Sequence, residues 1–216
     1  MNFYTDFDCA IFDLDGTLIK SPEAWHQVDI DFMEERGLPL PPDFYERVGV
    51  MNLSQAADYV IAECGVTDPK EEVIACWVNM MKENYAHHIP EVEGASEFIR
   101  RLHGRGVKLC LATAAGKEFF EPCLKRLGIY DLFECRVTTE EVSRKKGFPD
   151  VYLLACERVG ARPERSVVFE DILAGIKGAK MGKLTAVAIL DECSASDHEE
   201  MRKIADLSIH DFREVM

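Results

Sequence analysis

The chain has 216 residues, 47% of them apolar, which suits one ordinary domain with a modest insertion and argues against an unfolded chain. Lys plus Arg number 25 against 39 Asp plus Glu, a formal charge of -14 that repels nucleic-acid phosphates and anionic lipid, so neither is an expected partner. The start MNFYTDFD has no basic leader, no window is apolar for long enough to span a bilayer, and the eight cysteines (9, 64, 76, 110, 123, 135, 156 and 193) form no C-x-x-C pair, so a reduced cytoplasmic setting is expected.

In chain order, DCAIFDLDGTL from Asp8 reads as a short apolar strand that runs into a polar, glycine-containing turn. Residues 22 to 88 then show helical periodicity with no convincing strand. Trp25, Val28 and Phe32 recur at three- and four-residue spacing. Ser54 is placed to cap a helix carrying Ala57, Val60, Ile61 and Cys64, which Gly65 would end. Asp68-Pro69 with Glu71 combines an N-cap, a first-turn proline and a capping-box acid, for a helix through Val73, Trp77, Met80 and Asn84. This stretch predicts a small helical bundle.

After Pro90 helix and strand alternate. A helix through Phe98, Ile99 and Leu102 precedes the strand VKLCLA from Val107, and one through Phe119, Cys123, Leu124 and Leu127 ends at Gly128 before a strand at Cys135 to Val137. A helix from about Asp150, the strand SVVFE from Ser166, a helix through Ile176 and the strand LTAVAI from Leu184 follow. Such alternation predicts right-handed crossovers and a doubly wound parallel sheet covered on both faces, an α/β fold. The expected division is an α/β core of residues 1–18 and 90–216 with a helical cap of 19–89 inserted after the first strand. An insertion at the carboxyl end of a strand is placed to act as a lid over the crevice where such sheets bind ligands.

Four segments that end predicted strands carry chemistry: Asp13-Leu14-Asp15-Gly16-Thr17, Thr113, Lys146 and Glu170-Asp171. Asp13 and Asp15, two residues apart at a strand end with Gly16 permitting a tight turn, can face one small volume. Adding Glu170 and Asp171 brings four acids there, and such a cluster does not stay ionised without a cation. All-oxygen ligation suits magnesium, which also lets an acidic site accept a phosphate dianion. Thr113 offers a hydroxyl donor, the amides of the following helix start can bind phosphoryl oxygens, and Lys146 offers a compact positive charge.

These runs carry a resemblance. FDLDGTL resembles the first motif of the haloacid dehalogenase superfamily, LATAAG its second, KKGFPDVY its third and VVFEDILAG its fourth, all in the family's order and over nearly the whole chain. The resemblance implies a Rossmann-like core with a helical cap similar to that of sugar-phosphate phosphatases and β-phosphoglucomutases. It implies Asp13 as a nucleophile that becomes an aspartyl phosphate, and Asp15 as the acid and base for the leaving oxygen and the hydrolytic water. Thr113 and Lys146, with Gly16 and Ala114 beside them, would hold the phosphoryl group. Magnesium would be bound by Asp13, Asp15 through its carbonyl, and Asp171, with Glu170 as ligand or support. Family dehalogenases lack the second aspartate of motif one, so Asp15 argues against dehalogenation. The chain departs from the family's G-K-P-x-P-D with Lys145-Lys146-Gly147-Phe148-Pro149-Asp150. Counting back from Pro149 favours Lys146, and a one-residue slide would favour Lys145. Ala114 and Ile172 stand where small polar residues are common.

The expected activity is hydrolysis of a small phosphomonoester, a sugar phosphate or similar metabolite. A phosphomutase of the β-phosphoglucomutase type is the alternative, although Thr17 fits the phosphatase pattern better than the valine often found in the mutases. A module that has lost catalysis is a third reading. His87-His88, Trp25, Trp77, His26, Arg47, Asn52, Cys64 and Cys76 read as surface, hinge or core residues rather than ligands. Oligomeric state is not legible.

Overall fold

The computed structural model describes residues 2–48 and 51–216. The chain divides into two compact units, Met1–Ser21 with Ile89–Met216, and Pro22–His88.

In the first unit six strands form one parallel sheet: β1 (Cys9–Phe12), β2 (Lys108–Thr113), β3 (Cys135–Thr138), β4 (Ser166–Glu170), β5 (Thr185–Ile189) and β6 (Leu207–Ile209), in the order β3-β2-β1-β4-β5-β6. The doubly wound fold expected from the alternation is the one that forms. The edge strand β6 escaped the sequence pattern because Leu207-Ser208-Ile209 is too short to show a period.

Because strand side chains alternate between faces, the two sides of the sheet differ. Cys9 and Ile11 join Cys110, Ala112, Val168, Ala186 and Ala188 beneath α7 (Asp150–Val159) and α8 (Leu173–Met181), with Met201 of α9 (His198–Ile204) closing that core. On the other side the rings of Phe12 and Phe169 stack with centroids 4.7 Å apart. Phe98 of α5 (Ala95–Gly104) meets Phe169 edge-on at 5.5 Å, and Phe212 packs 5.3 Å from Phe98. Each fully buried ring of this kind is worth roughly 2–3 kcal/mol by removal from water. The eight cysteines are free thiols, and five of them are buried as small hydrophobes.

Chain direction then places the crevice. From β1 the chain moves out to β2 and β3, then returns to the opposite side of β1 as β4. The switch point lies between β1 and β4, where Phe12 is level with Phe169, and ligands bind open sheets of this kind beyond the strand ends at that point. The amide of Lys20 donates to the carbonyl of Pro90 at 3.0 Å, and Ile19 bridges Glu91 antiparallel. Thus the segments leading into and out of the helical unit are paired on the α/β unit itself.

The helical unit contains α1 (Ser21–Glu34), α2 (Phe44–Val48), α3 (Leu53–Glu63) and α4 (Lys70–His87) around Val28, Phe32, Phe44, Ala57, Val60 and Trp77. Four local expectations are corrected. Asn52, not Ser54, caps α3: its Oδ1 accepts the amide of Gln55 at 3.0 Å, and the Gln55 side chain accepts the Asn52 amide. Asp68 makes no cap for α4, because both of its oxygens accept from Arg36 at 2.9 and 3.1 Å. The buried stripe of α4 steps by four through Val73, Trp77, Met81 and Tyr85, and Met80 and Asn84 flank it. Cys64 and Cys76 are half-buried rather than core thiols. Among the described residues no helix is long and apolar enough to cross a membrane.

Candidate active site

Asp13 directly follows β1, and its amide donates to the carbonyl of Phe169 at 3.0 Å, which ties the end of β1 to the end of β4. Glu170 is the last residue of β4, and Asp171 follows it. Each of the three acids offers an oxygen within 4.8 Å of the others, and all three are buried. Lys146 enters from the loop before α7 and is also buried. Its Nζ contacts Oδ1 of Asp13 and lies 3.0 Å from Oε2 of Glu170. Lys145 is exposed, so the register favoured by counting back from Pro149 puts the buried ammonium among the acids. Burial alone would lower the Lys146 pKa, but the charges of Asp13 and Glu170 outweigh it and hold the pKa above the usual lysine value.

The acids are under opposite pressure. Burial, reinforced by Asp13, pushes Glu170 up to about 8. Burial, then Glu170 and Asp13, pushes Asp171 well above the ordinary aspartate value. Three carboxylates against one ammonium leave two negative charges in excess. Asp13 Oδ1, although paired with Lys146, receives no well-directed hydrogen bond. An all-oxygen trio with that charge excess and an unsatisfied carboxylate oxygen fits a magnesium ion.

Asp15 does not join this trio. It lies just before the turn, half-buried, and its Oδ1 accepts from the Ser21 hydroxyl at 2.5 Å. The sequence led us to expect four acids in one volume, and the structure gathers the side chains of three. Past Phe12 the chain leaves extended geometry, so the two-residue spacing no longer fixes a common face. Gly16 makes the turn with φ +73°, and a Cβ there would lie 2.1 Å from Asp171 Oδ2. The close approach of this turn to Asp171 therefore requires glycine.

Thr113 closes β2 and is fully buried. Its hydroxyl accepts the amide of Ala115 at 3.0 Å and keeps its own proton to donate. Ala114 is exposed just past it, and Gly116 caps α6 (Lys117–Arg126). The loop that carries Lys146 is held against α8 at Gly178, where a Cβ would fall 2.1 Å from the Lys146 carbonyl oxygen.

Two contacts were not legible in the sequence. The hydroxyl of Tyr152, on the buried face of α7, donates to Glu170 Oε2 at 2.9 Å. In an apolar stripe a tyrosine differs from phenylalanine by one oxygen, and nothing in the pattern says that this oxygen meets an acid. The Thr17 hydroxyl donates to Asp171 Oδ1 at 3.2 Å. In the helical unit, Arg47 pairs with Asp43, the ring of His26 packs 4.2 Å from that of Tyr45, and His87 and His88 are exposed near Glu83.

Residues 10–189 match the family of haloacid dehalogenase-like hydrolases. The chain is 29% identical over 215 residues to validoxylamine A 7'-phosphate phosphatase of Streptomyces hygroscopicus subsp. limoneus, covering 97% of this chain and 96% of that one. It is 26% identical over 173 residues to the phosphorylated carbohydrates phosphatase of Thermotoga maritima, covering 80% of each chain. Among solved structures, β-phosphoglucomutase from Clostridium difficile shares the fold, with TM-score 0.70, 17% identity, and coverage of 97% of this chain and 93% of that one.

Proposed function

The chain belongs to the haloacid dehalogenase-like hydrolase family, and from that premise we propose that it is a magnesium-dependent phosphatase acting on a small phosphomonoester, a phosphorylated carbohydrate or a metabolite like one. The observation that carries this reading is the buried convergence of Asp13, Glu170 and Asp171 around the ammonium of Lys146. The phosphatase names of two full-length or near full-length relatives support it.

In this reading Asp13 is the nucleophile. One carboxylate oxygen attacks phosphorus, the bond from phosphorus to the ester oxygen breaks, and Asp13 becomes an aspartyl phosphate. Asp15, held by Ser21, protonates the departing oxygen and then takes a proton from the water that attacks the intermediate. Lys146 and the Thr113 hydroxyl take the charge that develops on the phosphoryl oxygens. Asp13 and Asp171, supported by Glu170 and the Asp15 carbonyl, would hold magnesium, which supplies charge neutralisation to the phosphate when bound. Tyr152 and Thr17 fix the orientation of Glu170 and Asp171.

The test is a phosphate-release screen across metabolite phosphomonoesters with magnesium and with chelator. Release from at least one sugar or polyol phosphate, lost on chelation, is the expected result. No release from any ester, or release indifferent to magnesium, overturns the proposal. Interconversion of β-glucose 1-phosphate without free phosphate would assign a mutase instead.

A further inference from the structure

Within the helical unit lies a cavity of about 220 Å³, whose lining includes Trp25 and Asp29 of α1, Phe44 of α2, Met51, Leu53 at the start of α3, and Trp77 of α4. Of these, Phe44 and Trp77 are buried, and Trp25, Asp29, Met51 and Leu53 are half-buried. The volume is about seven times the ~30 Å³ occupied by one water in the liquid, enough for a small organic molecule.

Among the described residues, two polar groups in this apolar setting lack partners. Trp77 is 2% exposed, and its indole Nε1–H, buried, has no acceptor. A buried donor left unpaired costs about 1–3 kcal/mol, and with under 1 Å² of its own surface accessible this one lies out of a ligand's reach. Asp29 makes no hydrogen bond or ion pair with any described residue, and no lysine or arginine among them offsets its charge. Burial alone raises it to about 7. Its neighbour Tyr45 gives its hydroxyl to the carbonyl of His26 instead.

We propose that this cavity binds a small organic ammonium. The ammonium would sit against the Asp29 carboxylate and the ring faces of Trp25 and Phe44, as cations do over aromatic rings. A divalent metal is a poor occupant, because one carboxylate among aromatic and aliphatic walls offers no set of six oxygens. A neutral polyol would donate hydroxyls to the Asp29 carboxylate but leave its buried negative charge without a counter-charge, which an ammonium supplies. The inference rests on this cavity alone and stands or falls independently of the phosphatase reading.

The test uses the intact protein with no phosphate ester present. Trp25 and Trp77 are the chain's two tryptophans, so intrinsic fluorescence reports on this cavity directly. Choline is titrated against 3,3-dimethyl-1-butanol, its uncharged isostere, at constant ionic strength, with calorimetry alongside. Saturable choline binding is expected with a dissociation constant on the order of 1 mM, and binding of the isostere at least about tenfold weaker. Asp29→Asn should weaken choline at least about tenfold, with its fold checked by circular dichroism. No saturation by choline, equal binding of the isostere, or unchanged affinity in a folded Asp29→Asn protein overturns the proposal. Should Asp29→Asn fail to fold, the comparison of choline with its isostere decides alone.

Discussion

Lys146 Nζ lies 3.0 Å from Oε2 of Glu170 while contacting Oδ1 of Asp13, so one buried ammonium joins the ends of β1 and β4. The pair matters because the strand ends alone would place only negative charge at the switch point. With Lys146 present the cluster is short by two positive charges rather than three, the deficit that one divalent cation fills.

Lys146→Ala removes the only ammonium that an ion pair places among these acids, among the described residues. Breaking a buried ion pair from one side costs about 3–5 kcal/mol. The variant should unfold at clearly lower denaturant and release no phosphate above background. Lys145→Ala, at an exposed position, should match wild type in both measurements. Equal damage from the two substitutions would mean that the loop adopts the other register.

Tyr152→Phe deletes one hydroxyl that donates to Glu170 and leaves the ring in the core. Loss of a hydrogen bond to a charged acceptor costs about 1.5–3 kcal/mol. A thermal transition lowered by several degrees is expected, with a kcat reduced several-fold and KM unchanged, because Lys146 is then the one side-chain donor left to Glu170 among the described residues. An unaltered kcat would show that the tyrosine only fills space.

Gly16→Ala forces a Cβ to within 2.1 Å of Asp171 Oδ2 at a φ of +73°. Strain at such a position is about 1–3 kcal/mol, and Asp171 must move to relieve the contact. Magnesium titration of phosphate release should show weakened metal dependence, with activity down at least about tenfold. Wild-type magnesium dependence would separate the turn from the site.

Asp29 gives a pH signature to stability. Its pKa is raised from 3.8 to about 7 on folding, so the folded state holds the proton more tightly. Stability from this group is complete below about pH 4, and it declines as pH rises through 7. Asp29→Asn removes the decline. Its thermal midpoint should therefore exceed that of wild type by at least about 3 °C at pH 8 and converge with it near pH 4. Parallel curves across that range would refute the assigned burial.

Much of this architecture was legible in the residues. Unbroken apolar runs such as CAIF and SVVFE have no polar face, so they read as strands covered on both sides, and they are. The motif residues at positions 13, 113, 170 and 171 stand out because polar groups that end apolar strands need partners; Lys146, expected at a strand end, lies instead in the loop before α7, eight residues past the end of β3. What could not be read was direction. Period-two spacing suggested that Asp15 shares the volume of Asp13, but it turns to Ser21 once extended geometry ends. Tyr152 looked like any core aromatic, and the helix caps at Asn52 and Asp68 depended on competing partners that local sequence does not reveal. The edge strand β6 was too short to show a period.

The most direct test of the account is phosphate release by Asp13→Asn, assayed with magnesium on an aryl phosphate and on any metabolite ester found in the screen. The substitution preserves shape and removes the nucleophilic carboxylate. The account predicts a rate at least about 10³-fold below wild type with an intact thermal transition. Turnover at the wild-type rate would contradict it, because no phosphoryl group could then be passing through Asp13.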